Sequence, residues 1–354
     1  LTFQRIIGQD APIGLLRRTL ESGRVPHALL LHGPEGVGKR TVAVGYAAAL
    51  LCESDGVEAC GTCGECRRLG HDNHPDYFFV TRLPKPRKGA EKSGAPGRAA
   101  SIDPADLRPF IVVDQIRDLA GHAVYAPSCG RHRVFVIDPA DRMNDEAQNA
   151  LLKTLEEPPA RSVLLLVSSR PHALLTTVRS RCLSLRFGIV ARPDLVRFLE
   201  SRGVAAGEAV TRAALSGGSP GRALDLDLES LGRRRGEILD DLEALARSRA
   251  ALSDLAGMVS RLAGRDEPTF TEGLDLCQAL LRDAARSGAG LADDGLLHVD
   301  LAERLADLAG AVGPERAAEL VAGIDRLRDR LRYNANRTLL TEALLAAVAG
   351  GPLP

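Results

Sequence analysis

The stretch Leu29-Leu-Leu-His-Gly-Pro-Glu-Gly-Val-Gly-Lys-Arg-Thr41 constrains this chain more than any other. Three leucines predict the end of a buried strand, and Gly33, Gly36 and Gly38 predict a loop. Lys39 and Arg40 open an Ala- and Val-rich helix, Thr41 to Leu51. This is the spacing of the G-x-x-x-x-G-K-[S/T] phosphate loop. Its glycines let consecutive backbone N–H groups curl round phosphate oxygens, while the helix N-terminus and the lysine add positive charge. The last position departs from the pattern: where a Ser or Thr hydroxyl holds Mg²⁺, this chain has Arg40. A guanidinium cannot ligate a metal ion. The loop is therefore able to hold phosphate and badly equipped to hydrolyse it.

Downstream, Arg133-Val-Phe-Val-Ile-Asp138 is a continuous apolar strand ending in an acid, as buried parallel strands do. After a phosphate loop this is the Walker B position, where Asp138 would orient Mg²⁺. The hydrolytic version continues with Glu; here Pro139 follows, and Asp141 lies three residues past Asp138. Asn144 caps a predicted helix from Asp145 to Glu157 with Ala147, Ala150, Leu151 and Leu155 on its apolar face, and Pro158-Pro159 stops it. Val163–Val167 is another buried strand. Ser168 and Ser169 at its end suit a γ-phosphate sensor or an ordinary cap equally well. In Thr176-Thr-Val-Arg-Ser-Arg-Cys182, Arg181 taken alone reads as a surface salt bridge; at a domain edge it reads as an arginine finger for a neighbour's nucleotide.

Four of the seven cysteines are tightly spaced: Cys52, then Cys60-Gly-Thr-Cys63-Gly-Glu-Cys66. Overlapping C-x-x-C turns present thiolates to one ion, and Cys52 completes a closed, structural Cys₄ set for which zinc is the default metal. His71 and His74 are competing ligands, although His74-Pro-Asp76 reads better as the start of a strand, Tyr77 to Val80. Residues 82–109 hold most of the lysines among Pro and Gly and predict a mobile, solvated surface loop. No apolar run approaches the roughly 20 residues of a membrane span, and no signal-peptide pattern opens the sequence, so a cytoplasmic protein is expected. With 46 basic and 46 acidic residues, no whole-chain field argues for nucleic acid. Residues 188–228 read as a short helical segment. From about 232 leucines recur every three or four residues, in Ile238–Leu245, Leu274–Leu281, Leu301–Leu308 and Leu320–Leu331, which predicts a helical bundle of the kind used for assembly.

The order of these features carries a resemblance. Ile6-Ile-Gly-Gln-Asp10 before the phosphate loop resembles the adenine-side segment of AAA+ ATPases. The run Asn149-Ala-Leu-Leu-Lys-Thr-Leu-Glu-Glu-Pro-Pro159 and the Ser180-Arg-Cys182 motif resemble the AAA+ clamp-loader subunits of bacterial DNA polymerase III. The chain sides with the delta-prime kind rather than the tau/gamma motors: Arg40 replaces the Mg²⁺ ligand and Pro139 the Walker B Glu. Further, His74-Pro-Asp76-Tyr follows the cysteines, and in Gly218-Ser-Pro-Gly-Arg222 the sensor arginine position is Gly221. The ending Tyr333-Asn-Ala-Asn-Arg-Thr-Leu-Leu340 is also similar. Retention of Lys39 departs from a fully decayed loop and leaves ATP or ADP binding open, with Mg²⁺ disfavoured.

The resemblance implies an α/β AAA+ domain over 1–187 carrying a zinc module (52–66), a helical lid over 188–229 and an all-α collar over 230–354. It implies a degenerate nucleotide site of Gly33, Gly36, Gly38, Lys39, Arg40, Thr41 and Asp138, with zinc on Cys52, Cys60, Cys63 and Cys66. It implies Arg181 as a finger acting in trans on a tau/gamma subunit, in a five-subunit ring with delta that loads the sliding clamp on primed DNA. Two other readings compete. An active clamp-loader ATPase would need Thr41 and Asp141 to take the missing roles, and a zinc-ribbon nucleic-acid-binding protein would need the phosphate loop to be a relic.

Overall fold

The computed structural model describes residues 3, 6–54, 56–85, 107–247, 252–264, 267–291, 296–331 and 335–352. The loop expected over 82–109 therefore lies, from 86 to 106, outside the described residues. Two compact units are present, Leu1–Asp225 and Leu226–Pro354.

The first unit is built on five parallel strands: β1 (Ala28–His32), β2 (Tyr77–Val80), β3 (Arg133–Ile137), β4 (Ser162–Ser168) and β5 (Leu183–Arg186). Their order is β2-β3-β4-β1-β5. Parallel neighbours need helical crossovers, so both faces of the sheet are covered, and its central strands are apolar at nearly every position. Successive side chains along a strand then serve opposite cores. Leu29, Leu31, Val134, Val136, Leu165 and Val167 pack with Ile13 and Leu16 of α1 (Asp10–Glu21) and with Val42, Ala43 and Tyr46 of α2 (Lys39–Leu51). Leu30, Phe135, Ile137, Leu164 and Leu166 pack with Ile116 and Leu119 of α4 (Val113–Ala123) and with Leu151 and Leu155 of α5 (Asp145–Glu156). Each such side chain contributes about 1.5–3 kcal/mol by leaving water.

The cysteine segment contains α3 (Gly64–Gly70), and α6 (Thr176–Arg179) precedes β5. Three short helices complete this unit, α7 (Arg192–Ser201), α8 (Ala206–Leu215) and α9 (Pro220–Asp225), round a small core of Leu195, Leu199, Ala209, Ala213 and Ala223. The second unit is all-α: α10 (Leu228–Ala246), α11 (Leu252–Ala263), α12 (Glu267–Gly288), α13 (Ala302–Val312), α14 (Pro314–Leu331) and α15 (Arg337–Val348). Its core includes Leu239, Leu242, Phe270, Leu274, Leu281, Leu320, Ile324 and Leu344. Gly313, at φ 87°, ends α13 and Pro314 opens α14, each residue supplying the backbone conformation its place requires. Among the described residues no helix is long and apolar enough to cross a membrane.

Candidate functional site

The phosphate loop joins β1 to α2 at the carboxyl edge of the sheet. Gly33, Gly36 and Gly38 hold φ of 148°, 73° and 98°, a region only glycine enters at no cost. Lys39 does not reach outward. Its side chain is buried, and Nζ donates to the carbonyls of Gly33 (2.8 Å) and Pro34 (2.5 Å) and to Ser169 Oγ (3.0 Å). Burial draws the ammonium pKa down, against the pull of Asp138, Glu35 and Asp141.

Asp138 follows β3 directly, as its place in the sequence predicts. The Arg40 guanidinium lies over the Phe79 ring, 4.6 Å from its centroid, with Nε 3.0 Å from Asp138 Oδ2. Burial pushes the Asp138 carboxyl pKa up, and Arg40 and then Lys39 oppose that push. A protein cation thus stands on this carboxylate. Thr41 lies exposed on the first turn of α2. Asp141 is engaged elsewhere: Oδ1 accepts from Ser168 Oγ (2.9 Å) and Ser169 N–H (3.0 Å), and Oδ2 lies 3.4 Å from Arg170 Nε. The two serines thereby act as anchors for Asp141 and Lys39.

Helix α9 closes over the loop. Gly221 N–H donates to the Gly36 carbonyl at 2.9 Å. A Cβ at Gly36 would come within 2.2 Å of Ser219 Oγ, and one at Gly221 within 3.0 Å of Gly36 O, so this approach exists because both residues are glycine. Arg222, one residue later, is exposed. Gln9, in the segment whose sequence resembles the adenine side of AAA+ ATPases, is the tie beneath. Its buried amide donates to the Gly188 carbonyl (2.8 Å) and accepts from Gly188 N–H (3.2 Å), and it reaches the Val37 carbonyl at 3.4 Å.

Arg181 lies just beyond α6, with a partly exposed side chain. Val178 is buried beneath it, and burial pushes the neighbouring Cys182 thiol to about 12, a neutral apolar anchor for the turn. Arg181 Nη1 donates to the Thr177 carbonyl (2.9 Å), and Nη2 lies 2.7 Å from Glu156 Oε1 at the end of α5.

The four cysteines converge. Their sulfurs all lie within 4.8 Å of one another, with Cys52 and Cys63 at 3.9 Å and Cys60 and Cys66 at 4.0 Å. Four thiolates about 2.3 Å from one tetrahedral ion would stand about 3.8 Å apart, so the donor set fits a structural metal. Backbone N–H groups of Ser54 and Cys60 point at Cys52, that of Cys63 at Cys60 and that of Cys66 at Cys63. Among the described residues no histidine joins this cluster. His74 faces away: Nδ1 accepts from Asp76 N–H (3.0 Å), and Nε2 lies 2.9 Å from Glu65 Oε2 but off the hydrogen-bond direction. Asp76 is wholly buried. Burial opposes its ionisation, yet the N–H groups of Ser128 and Cys129 and the Arg133 guanidinium hold its carboxyl at about 2. The sequence marked His74-Pro-Asp76 as a strand start and gave no sign of this buried ion pair.

A parallel sheet with a phosphate loop after β1, an acid after β3 and a helical subdomain closing on the loop defines the AAA+ class, here with its metal position taken by arginine. The family described as DNA polymerase III, delta subunit, matches residues 8–190, and its C-terminal counterpart matches 233–349. DNA polymerase III subunit delta' of Pseudomonas aeruginosa is 32% identical over 335 residues, 93% of each chain. The subunit delta' of Escherichia coli is 30% identical over 336 residues, 93% of this chain and 90% of that one. Subunit tau of Escherichia coli is 34% identical over 184 residues, 51% of this chain and 25% of tau. The chain belongs to the DNA polymerase III delta' subunit family.

Proposed function

We propose that this chain is the non-hydrolysing delta' subunit of a clamp loader, working in the cytoplasm in a hetero-oligomeric ring with tau/gamma and delta subunits to place the sliding clamp on primed DNA. The observation that carries the non-hydrolysing part is the Arg40–Asp138 pair. Asp138 is the residue that would help hold a nucleotide's metal ion and neutralise phosphate charge there, and it is already paired with this guanidinium. The engagement of Asp141 by Ser168, Ser169 and Arg170 counts against its service as the missing general base. Lys39 is held by the carbonyls of its own loop and by Ser169, so its ammonium would have to exchange those partners for a phosphate.

In this reading Arg181 is the arginine finger, a fixed positive charge offered to the ATP of an adjacent tau/gamma subunit. Its support is the placement of the side chain on an exposed turn whose base is packed in the core. Zinc on the four cysteines holds the module after α2 in shape. Residues 188–229 act as the lid and 230–354 as the collar through which the subunit joins the ring.

The test is ATP turnover by the partner motor subunits reconstituted with the wild-type chain or with Arg181→Ala, with the chain alone as control. The expected result is no turnover by the chain alone. At the one site Arg181 faces, its loss should cost on the order of 10³-fold in DNA- and clamp-stimulated hydrolysis. Turnover by the chain alone would overturn the non-hydrolysing reading. An unchanged rate with Arg181→Ala in an intact complex would remove the finger and leave the scaffold role.

A further inference from the structure

Glu156 is in the wrong place for a carboxylate considered by itself. It is the last residue of α5, where the helix dipole presents its negative end and acidic groups are disfavoured. The Arg181 guanidinium lies at that helix end, with Nη2 2.7 Å from Glu156 Oε1 and Nη1 donating to the Thr177 carbonyl at 2.9 Å. An arginine carries five N–H donors in one plane; here one of them makes a hydrogen bond, to Thr177, while Glu156 holds Nη2 by charge at ion-pair distance. The base of the side chain is fixed as well: Arg181 N–H donates to the Val178 carbonyl (3.2 Å), and both Val178 and the Cys182 thiol pack into the core beneath the sheet.

We propose that Glu156 is the positioning residue for the arginine finger. This rests on the reading of Arg181 given above. A free arginine side chain spreads over many rotamers, and ordering it at the moment of reaction is costly. Glu156 holds the guanidinium at the end of α5 before a neighbour's nucleotide arrives, so that its remaining donors meet the phosphate without that loss. The pair is more than a third exposed on both sides, so it adds little to the stability of the fold. Its value lies in presentation. The carboxylate also sets a limit: because it draws only on Nη2, the charge of Arg181 is oriented rather than enclosed.

The test compares wild type, Glu156→Ala, Glu156→Gln, Arg181→Ala and the double variant Glu156→Ala/Arg181→Ala, each as the full chain in the reconstituted complex with primed DNA and clamp. Glu156→Ala is expected to lower the Arg181-dependent part of ATP turnover about three- to tenfold, the factor for losing the pre-ordering of one flexible side chain. The loss should fall in kcat, with KM for ATP within about twofold. Glu156→Gln, which keeps the shape but not the charge, should lose nearly as much as Glu156→Ala, because the contact with Nη2 is an ion pair. In the Arg181→Ala background Glu156→Ala should add nothing. Melting temperatures of the isolated chains should agree within about 2 °C. Faster turnover with Glu156→Ala would mean that the carboxylate restrains the finger, and unchanged turnover would mean that it does nothing; either overturns the proposal. So would an equal loss in the Arg181→Ala background. If Arg181→Ala itself is silent in an intact complex, it is the finger that fails, and the two failures are told apart.

Discussion

The phosphate loop and the cysteine module each gather, within one domain, groups that elsewhere grip a cation, and they treat that cation in opposite ways. At the loop the protein brings its own. Arg40 stacks on Phe79 and pairs with Asp138, Lys39 folds back onto the Gly33 and Pro34 carbonyls, and Gly221 closes on Gly36. At the module four sulfurs converge within 4.8 Å. Thiolates at that spacing repel one another unless an external ion lies between them. A site that loses one ligand can thus be neutralised from within, because a single guanidinium matches a single carboxylate. A closed set of four thiolates has no such internal remedy, so this donor set suits a structural metal.

Metal removal should break the module and spare the loop. Chelation, or Cys63→Ser, is expected to cost at least about 4 kcal/mol of apparent stability, because the ion's binding free energy is folding free energy where the site is closed. Elemental analysis should give one thiophilic ion per wild-type chain and none for the variant. A metal-free chain that melts like wild type would end the contrast. The next effect concerns the closure of the loop. Gly36→Ala should cost about 2 kcal/mol, since its Cβ meets Ser219 Oγ and the backbone has φ 73°. Gly23→Ala, at φ 66° with open space round it, should cost about half as much, and the difference measures the contact alone. Equal losses in denaturant titration would mean that α9 does not press on the loop.

The smallest effect sharpens the comparison most. Arg40→Thr restores a hydroxyl at the metal-ligand position and leaves the Asp138 carboxylate buried without its partner. A loss of about 1 kcal/mol is expected, recovered on adding millimolar Mg²⁺. The wild-type melting temperature should not respond to Mg²⁺, because the position is already occupied by charge. A variant indifferent to Mg²⁺ would show that closure by α9, rather than Arg40, is what excludes the metal.

Much of this was legible in the chain itself. Continuous apolar runs at 29–31, 134–137 and 163–167 announced buried parallel strands. The Gly33–Gly38 spacing announced the loop, and C-x-x-C pairs announced converging sulfurs. Local pattern suffices there because strand period, glycine φ and ligand spacing are local properties. The same pattern singled out stretches within α10, α12, α13 and α14, but not α11 or α15. The polar ties between distant segments were not legible. Gln9 meets Gly188, Asp76 meets Arg133 together with the 128–130 backbone, and Glu156 meets Arg181. In each case the partner is set by how the chain returns.

The sequence by itself determined that the metal-ligand hydroxyl and the Walker B glutamate are missing, that four thiols lie within reach of one ion, and that an arginine follows Ser180. Residue identity decides what can ligate, donate or carry charge. Only the tertiary structure decided what those residues do with one another. The two termini of Arg40 chemistry, the loop and Asp138, lie about a hundred residues apart and meet because β3 brings its acid to the loop's edge of the sheet. Burial and distance set the strength of a charge's interactions, and both are properties of the folded chain alone.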